Sequence, residues 1–205
     1  MDRVGRCATK PSMTSSAPTD RDGFDDAGEP LVELVDERGR TTGVTPKLAA
    51  HRPPGQLHRA ISIFLLDSSG RLLIQRRSRS KYHSGGLWSN TCCSHPVPGE
   101  RPADASVRRL REELGVEPTD LTEAGSTVYH VTDAVSGLVE REWNHLFVGY
   151  ALETPSPDPL EVEDWAPVPL DELRDMEPDG SFTAWFPSVL EAVMPSLGDL
   201  VAQRR

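Results

Sequence analysis

The sequence predicts a mixed α/β domain of the α+β kind, with a mixed β-sheet core built from hairpins and flanked by helices. Three observations lead there. Short apolar runs are broken by polar clusters ending in glycine, at Asp36–Gly39 and Asp67–Gly70, as strand–turn–strand units are. Residues 102–114 carry helical spacing between a proline and a glycine. Segments of the two kinds are interspersed, with no internal repeat.

Residues 1–29 are rich in Ser, Thr, Pro, Asp and Gly and almost lack large apolar side chains. Such a stretch buries too little to offset its ordering entropy and is expected to be a disordered extension, leaving residues 30–205 as the working domain. Leu31–Val35 reads as a strand, Asp36–Gly39 as a turn and Thr45–Ala50 as a helical turn, before the break at Pro53-Pro54-Gly55. Ala60–Leu66 and Arg71–Arg76 are the arms of a hairpin around Asp67–Gly70. Residues 78–90 read as a loop. The helix 102–114 opens on Pro102, stops at Gly115, and offers Ala103, Val107, Leu110 and Leu114 as its buried face. Thr127–Thr132 and Glu140–Ala151 are strands around Gly137, Glu161–Val168 is extended, and Leu170–Met176 and Ser188–Met194 are helices.

A chain of 205 residues is long enough for one domain with a real core. Its formal charge of -10 disfavours nucleic acid as a partner, and an anionic substrate must meet local cations or a metal. Three cysteines, Cys7, Cys92 and Cys93, do not make a secreted disulfide framework, so a reducing, cytoplasmic setting is expected. No run approaches the roughly 18 apolar residues of a membrane span, and residues 1–29 contain no apolar signal region. The expected partner is a small molecule, with no membrane and no nucleic acid, on a monomer or weak dimer.

Four groups of residues carry chemistry. Ser94–Glu100 leads, after seven residues, into Arg108–Val116, a loop feeding a helix; Arg109 and Glu113 are four apart and share a face. Charges alone fit a solvated helix with ordinary ion pairs. His51 and His58 flank the Pro-Pro-Gly break, His95 follows the cysteine pair, and Glu140 and Glu142 alternate on a strand and so point one way. Three imidazoles and two carboxylates suit Zn²⁺, Mn²⁺ or Mg²⁺, although each histidine singly reads as core or surface. His83, His130 and His145 have no such support. Arg76, Arg77, Arg79 and Lys81 put four cations in six residues, alone a solvated basic loop. Cys93, Tyr129 and Trp185 taken singly read as packing.

Together these groups resemble a known family. Glu100, Arg108, Glu112, Glu113 and Gly115 sit at positions of the Nudix box, which holds a divalent metal against a diphosphate. Ser94 stands in place of the box's first glycine, and Arg109 in place of a glutamate with which Nudix hydrolases bind metal. Asn90-Thr91-Cys92-Cys93-Ser94-His95-Pro96, preceded by Trp88, is similar to the cysteine motif of type I isopentenyl diphosphate isomerases. The resemblance spans roughly Leu31 to Val193; Ala184 replaces a proline common beside Trp185.

The resemblance implies interconversion of isopentenyl and dimethylallyl diphosphate through a carbocation. It assigns Cys93 and Glu142 to opposite faces of the substrate, with Tyr129 hydrogen-bonding Glu142 and helping to relay its proton, and Trp185 facing the cation. It assigns one metal to His51, His58, His95, Glu140 and Glu142, and a Mg²⁺ bridging phosphate oxygens to Glu113. The diphosphate goes to Lys47, Arg77, Lys81 and Arg109. A Nudix hydrolase and a non-catalytic metal-binding module are the alternatives; Arg109 and Cys93 argue against the first, and the near-complete set of catalytic positions against the second.

Overall fold

The computed structural model describes residues 23–173 and 180–203. In chain order they form β1 (Leu31–Val35), β2 (Thr41–Pro46), α1 (Lys47–His51), β3 (His58–Leu66), β4 (Leu72–Arg77), β5 (Trp88–Ser89), β6 (Cys92–Ser94), α2 (Pro102–Leu114), β7 (Thr119–Thr132), β8 (Val139–Tyr150), β9 (Val162–Val168) and α3 (Phe186–Gln203). The strands join in one mixed nine-stranded sheet.

β3 is its hub. It is antiparallel to β1, β4 and β6 and runs parallel to β8 over its whole length, from His58 beside Glu142 to Leu66 beside Tyr150. β8 pairs antiparallel with β7, and β9 with β4. The period of two then sorts side chains to the two faces. Ile61, Ile63, Leu65 and Phe147 pack with Ala105, Leu110 and Leu114 of α2. Phe64, Leu66, Leu146 and Val148 pack with Val189, Leu190, Val193 and Leu197 of α3. By the same parity His58, Ser62, Glu140, Glu142 and Asn144 belong to the α3 side, where the sheet carries polar groups instead of core.

Several elements differ from their expected bounds. β2 was not expected; its run Thr41-Thr42-Gly43-Val44-Thr45 pairs with β1 as an edge. The expected loop 78–90 contains β5, and β7 begins eight residues early, because shifts of register near Thr119 and Glu123 carry the pairing past Gly125. Ala103 is exposed, and Ala105 fills the α2 interface in its place. Residues 170–172 are turn, Leu173 is helical, and the remainder of the helix expected over Leu170–Met176 lies outside the described residues.

α3 runs nine residues beyond Met194, straight through Pro195. A proline in a helix leaves the carbonyl four residues earlier without its donor. That residue, Glu191, is exposed, so water can satisfy the freed oxygen. Of the expected extension, residues 1–22 lie outside the described residues. Residues 23–29 form a turn in which Asp25 Oδ1 accepts from the amides of Ala27 and Glu29. Among the described residues no helix is long and apolar enough to cross a membrane.

The end of α2 shows why a glycine is needed at 115. Gly115 is left-handed at φ 62°, its amide bonds to Arg111 O, and the Val116 amide reaches back to Leu110 O. A Cβ there would stand 2.8 Å from the carbonyl oxygen of Ser156. Gly115→Ala is expected to cost about 1–3 kcal/mol from left-handed strain plus that contact. Urea unfolding should show a lower midpoint at unchanged m-value; an unaltered midpoint would mean the cap contributes nothing.

Candidate active site

Three neighbouring strands deliver the centre of the site as a row. His58 on β3 registers with Glu142 on β8, and Glu142 with Tyr129 on β7. Residues paired this way share a face and sit close together. Both Glu140 and Glu142 are nearly inaccessible to solvent. A buried carboxylate requires compensation, and here imidazoles surround both. Glu142 Oε1 is 3.5 Å from His58 Nε2 and 3.1 Å from His95 Nε2. Its Oε2 accepts from the Tyr129 hydroxyl and from Asn144 Nδ2 at 3.0 Å. Glu140 Oε2 is 3.0 Å from His51 Nε2, and its Oε1 2.8 Å from His83 Nε2. Burial pushes both carboxyls upward, but the flanking histidines outweigh it and hold both below the usual carboxylate range.

The histidines are set by their backbone contacts. His51 Nδ1 lies 2.7 Å from Lys47 O and His58 Nδ1 2.8 Å from Gln56 O, distances at which each Nδ1–H donates to a carbonyl. In the neutral ring this leaves Nε2 with a lone pair aimed into the site. His51 Nε2 has no hydrogen-bond partner despite its nearness to Glu140, and His58 Nε2 faces His95 Nε2 at 3.1 Å. Burial, aided by Lys47, holds His95 neutral, its pKa pushed down to about 3. Converging lone pairs beside buried carboxylates are what a divalent cation requires. The ligand atoms of His51, His58, His95 and Glu142 all lie within 4.8 Å of one another. Glu140 stands alongside, between His51 and His83.

Cys93 stands opposite Ser62 of β3. Its thiol donates to Asn90 Oδ1 at 2.8 Å and accepts from Trp185 Nε1 at 3.2 Å. Burial raises its pKa to about 11 against the opposing pull of Ser62, Asn90 and Trp185, so the thiol keeps its proton at neutral pH. Cys92 points the other way, fully buried in the α2 core. Cys93, Glu142, Tyr129 and Trp185 line one cavity. The same cavity is lined by Lys47, Arg77, Lys81, Arg109 and Glu113. Burial first, then Lys81, Arg77 and Arg109, bring the Lys47 ammonium down to about 8, the mark of crowded cations.

Trp185 does more than line the wall: the Arg77 guanidinium lies 5.3 Å from its ring centroid. Glu113, also buried, accepts from Arg109 Nη2 at 2.6 Å and from Gln75 Nε2 at 3.2 Å. Among the box residues, Glu100 is engaged by Arg108 through two bonds of 2.8 and 2.7 Å, and Glu112 is a surface partner of Arg108 and Arg109. Sequence reasoning set His83 aside, yet it is buried against Glu140. The signal available was its place two residues after Lys81, in the same basic loop. His130 is exposed, and His145 pairs with Glu123 on the opposite face of β8. Asn144, which donates to both Tyr129 and Glu142, was also missed, although it continues the Glu140–Glu142 alternation.

The chain matches the NUDIX domain over residues 56–186 and belongs to that family. The structure is similar to DR0079 from Deinococcus radiodurans (TM-score 0.64, 22% identity, covering 80% of this chain and 98% of that one). It is also similar to a MutT protein from Methanosarcina mazei (TM-score 0.55, 20% identity, 68% and 94%). At those identities the likeness is one of fold. Sequence narrows it: the chain is 55% identical to the isopentenyl-diphosphate Delta-isomerase of Streptomyces griseus over 83% of this chain and 86% of that protein. It is 49% identical to isopentenyl-diphosphate Delta-isomerase 2 of Aromatoleum aromaticum over 81% and 87%. Within the Nudix proteins, this chain belongs with the isopentenyl-diphosphate Delta-isomerases.

The histidine–carboxylate group is expected to take up one divalent ion per chain. At an excess of about 100 times Kd, binding should stabilise the fold by about 2.7 kcal/mol. His58→Ala should lose both the ion, by elemental analysis, and the stabilisation, by thermal melting; a full equivalent of metal in that variant would exclude the group as its site.

Proposed function

We propose that the protein interconverts isopentenyl diphosphate and dimethylallyl diphosphate, moving the double bond by adding a proton to the terminal alkene carbon and removing one from the carbon on the other side of the cationic centre so formed. One observation carries the reading: a single cavity is lined by a protonated thiol, Cys93, a buried carboxylate, Glu142, and four cations, Lys47, Arg77, Lys81 and Arg109. Protonating an unactivated alkene creates a tertiary carbocation, so the site must exclude water and stabilise positive charge. The two proton-carrying groups must act from opposite sides of the five-carbon chain. Cys93 serves one face and Glu142 the other.

Each group is prepared for that work. Cys93 keeps its proton and is aimed by Asn90 and Trp185. Glu142 is tied by Tyr129 and Asn144, so a proton it gains can pass along Tyr129. Trp185 presents π surface to the developing cation. Lys47, Arg77, Lys81 and Arg109 take the diphosphate, and Arg109 supplies a planar fork suited to phosphate oxygens. His51, His58, His95, Glu140 and Glu142 would hold a divalent ion (Zn²⁺, Mn²⁺ or Mg²⁺), and Glu113 a Mg²⁺ at the diphosphate. Bound metal there supplies polarisation of Glu142 and neutralisation of phosphate charge. The working unit is residues 30–205.

Incubation of the protein with isopentenyl diphosphate and Mg²⁺ in D₂O, followed by NMR, tests this: the isomer should appear with deuterium incorporated. Cys93→Ala is expected to lower turnover by about 10²–10⁴-fold, the range of a general acid–base group. Cys92→Ala should retain most of its activity and lose stability instead. Inactivity confined to Cys92→Ala would reverse the assignment.

Arg109→Ala should raise KM about tenfold or more, through loss of a charge-assisted contact. The unmodified protein should release no phosphate from nucleoside diphosphate-linked substrates. Turnover of such a nucleotide, without isomerisation of the five-carbon diphosphate, would place the protein among the hydrolases.

A further inference from the structure

Four cations crowd one cavity, and like charges at close range push their side chains apart. The flexible members, Lys47 and Lys81, would swing to solvent unless something held them. Arg77 is held by burial, by the Trp185 ring and by a bond to His83 O. Arg109 is held by Glu112 and Glu113, and one residue with no assigned role holds Lys81 and joins it to Arg109. The Glu161 carboxylate accepts from Lys81 Nζ through Oε2 and lies 3.4 Å from Arg109 Nη2 through Oε1.

We propose that Glu161 is a positioning residue that braces Lys81 and Arg109 for the diphosphate. This rests on the isomerase reading for the identity of the substrate, though not for the geometry. Two features support it. Glu161 is absent from the lining of the cavity that holds Cys93 and Glu142 and lines instead a second pocket, with Lys81 and Arg109 lining both. The carboxylate therefore meets Lys81 and Arg109 from outside the cavity that holds Cys93 and Glu142. Its backbone is pinned to both elements it braces. Glu161 O accepts from the Ser78 amide, and Leu160 O accepts from Ser80 Oγ, which ties it to the Lys81 loop. The Glu161 amide bonds to Asp158 O, and the Asp158 amide to Glu113 O at the end of α2. One short segment thus sets the separation of a loop cation and a helix cation.

Removing the charge has two opposed consequences. It frees Lys81 and Arg109, which weakens diphosphate binding, and it makes the site more positive, which strengthens it. Bracing dominates, because the carboxylate touches both cations while only its longer-range field reaches the diphosphate.

The test is Glu161→Gln, Glu161→Ala and Glu161→Asp, assayed with isopentenyl diphosphate and by calorimetric titration with inorganic pyrophosphate and Mg²⁺. In the Gln and Ala variants KM should rise about tenfold with kcat within about twofold, and the pyrophosphate Kd should rise in parallel. Asp should recover part of the loss, and the melting temperature should hold. Unchanged KM and Kd would overturn the proposal, as would tighter pyrophosphate binding, which would make Glu161 a competitor of the ligand. A fall in kcat at constant KM would overturn it too. The pyrophosphate titration needs no turnover, so it decides the role of Glu161 even if the unmodified protein fails to isomerise the five-carbon substrate.

Discussion

Two carboxylates, Glu140 and Glu142, stand buried on the same face of one strand, and the surrounding architecture answers that constraint. Ionised groups in a dry interior are tolerated only with close partners of opposite or convertible charge. The parallel pairing of β3 with β8 brings His58 beside Glu142. α1 brings His51 to Glu140, β6 leads into His95, and the basic loop supplies His83. A slip of one residue between β3 and β8 would turn either His58 or Glu142 to the opposite face, where α2 packs. The register, the break at Pro53-Pro54-Gly55 and the short helix before it can thus be read as devices for meeting two charges.

The same cavity combines two electrostatic sets. One has carboxylates, imidazoles and a thiol that keeps its proton. The other concentrates four cations in a chain whose overall charge is -10. An anion is therefore drawn to this cavity and not to the surface generally. On the proposed reading, a substrate gripped there by its diphosphate would lay its hydrocarbon portion between Cys93 and Glu142, against Trp185. Binding energy from the non-reacting end then serves to orient the reacting end.

Much of this was legible in the sequence, for local reasons. Pro102 and Gly115 mark α2 because both residues act on the backbone where they stand. The alternation of Glu140 and Glu142 places them on one face because strands have period two. What escaped depended on partners distant in the chain. His83 is one imidazole in a polar loop until folding sets it against Glu140. Glu161 is an ordinary acidic residue at the start of a strand until β9 aligns beside β4 and brings it to Lys81. β2 was missed because a glycine and threonines at an edge need only the pairing of β1 to become strand. α3 was cut short at Pro195 because sequence cannot show that the carbonyl freed there faces water.

The exchange of one charge on α2 connects these points. At position 109 a Nudix hydrolase would present a glutamate. Here such a residue would lie one turn from the buried Glu113 and close to Glu161, three carboxylates that only bound cations could hold together. Arg109 reverses the sign. It reaches Glu113 at 2.6 Å and Glu161 at 3.4 Å, so much of the negative charge is balanced by the chain itself. A guanidinium cannot ligate a metal, but it retains donors for a phosphate oxygen. On the proposed reading, the position that would assemble metals to activate water becomes one that grips a diphosphate and leaves it intact, and the chemistry falls to Cys93 and Glu142 instead.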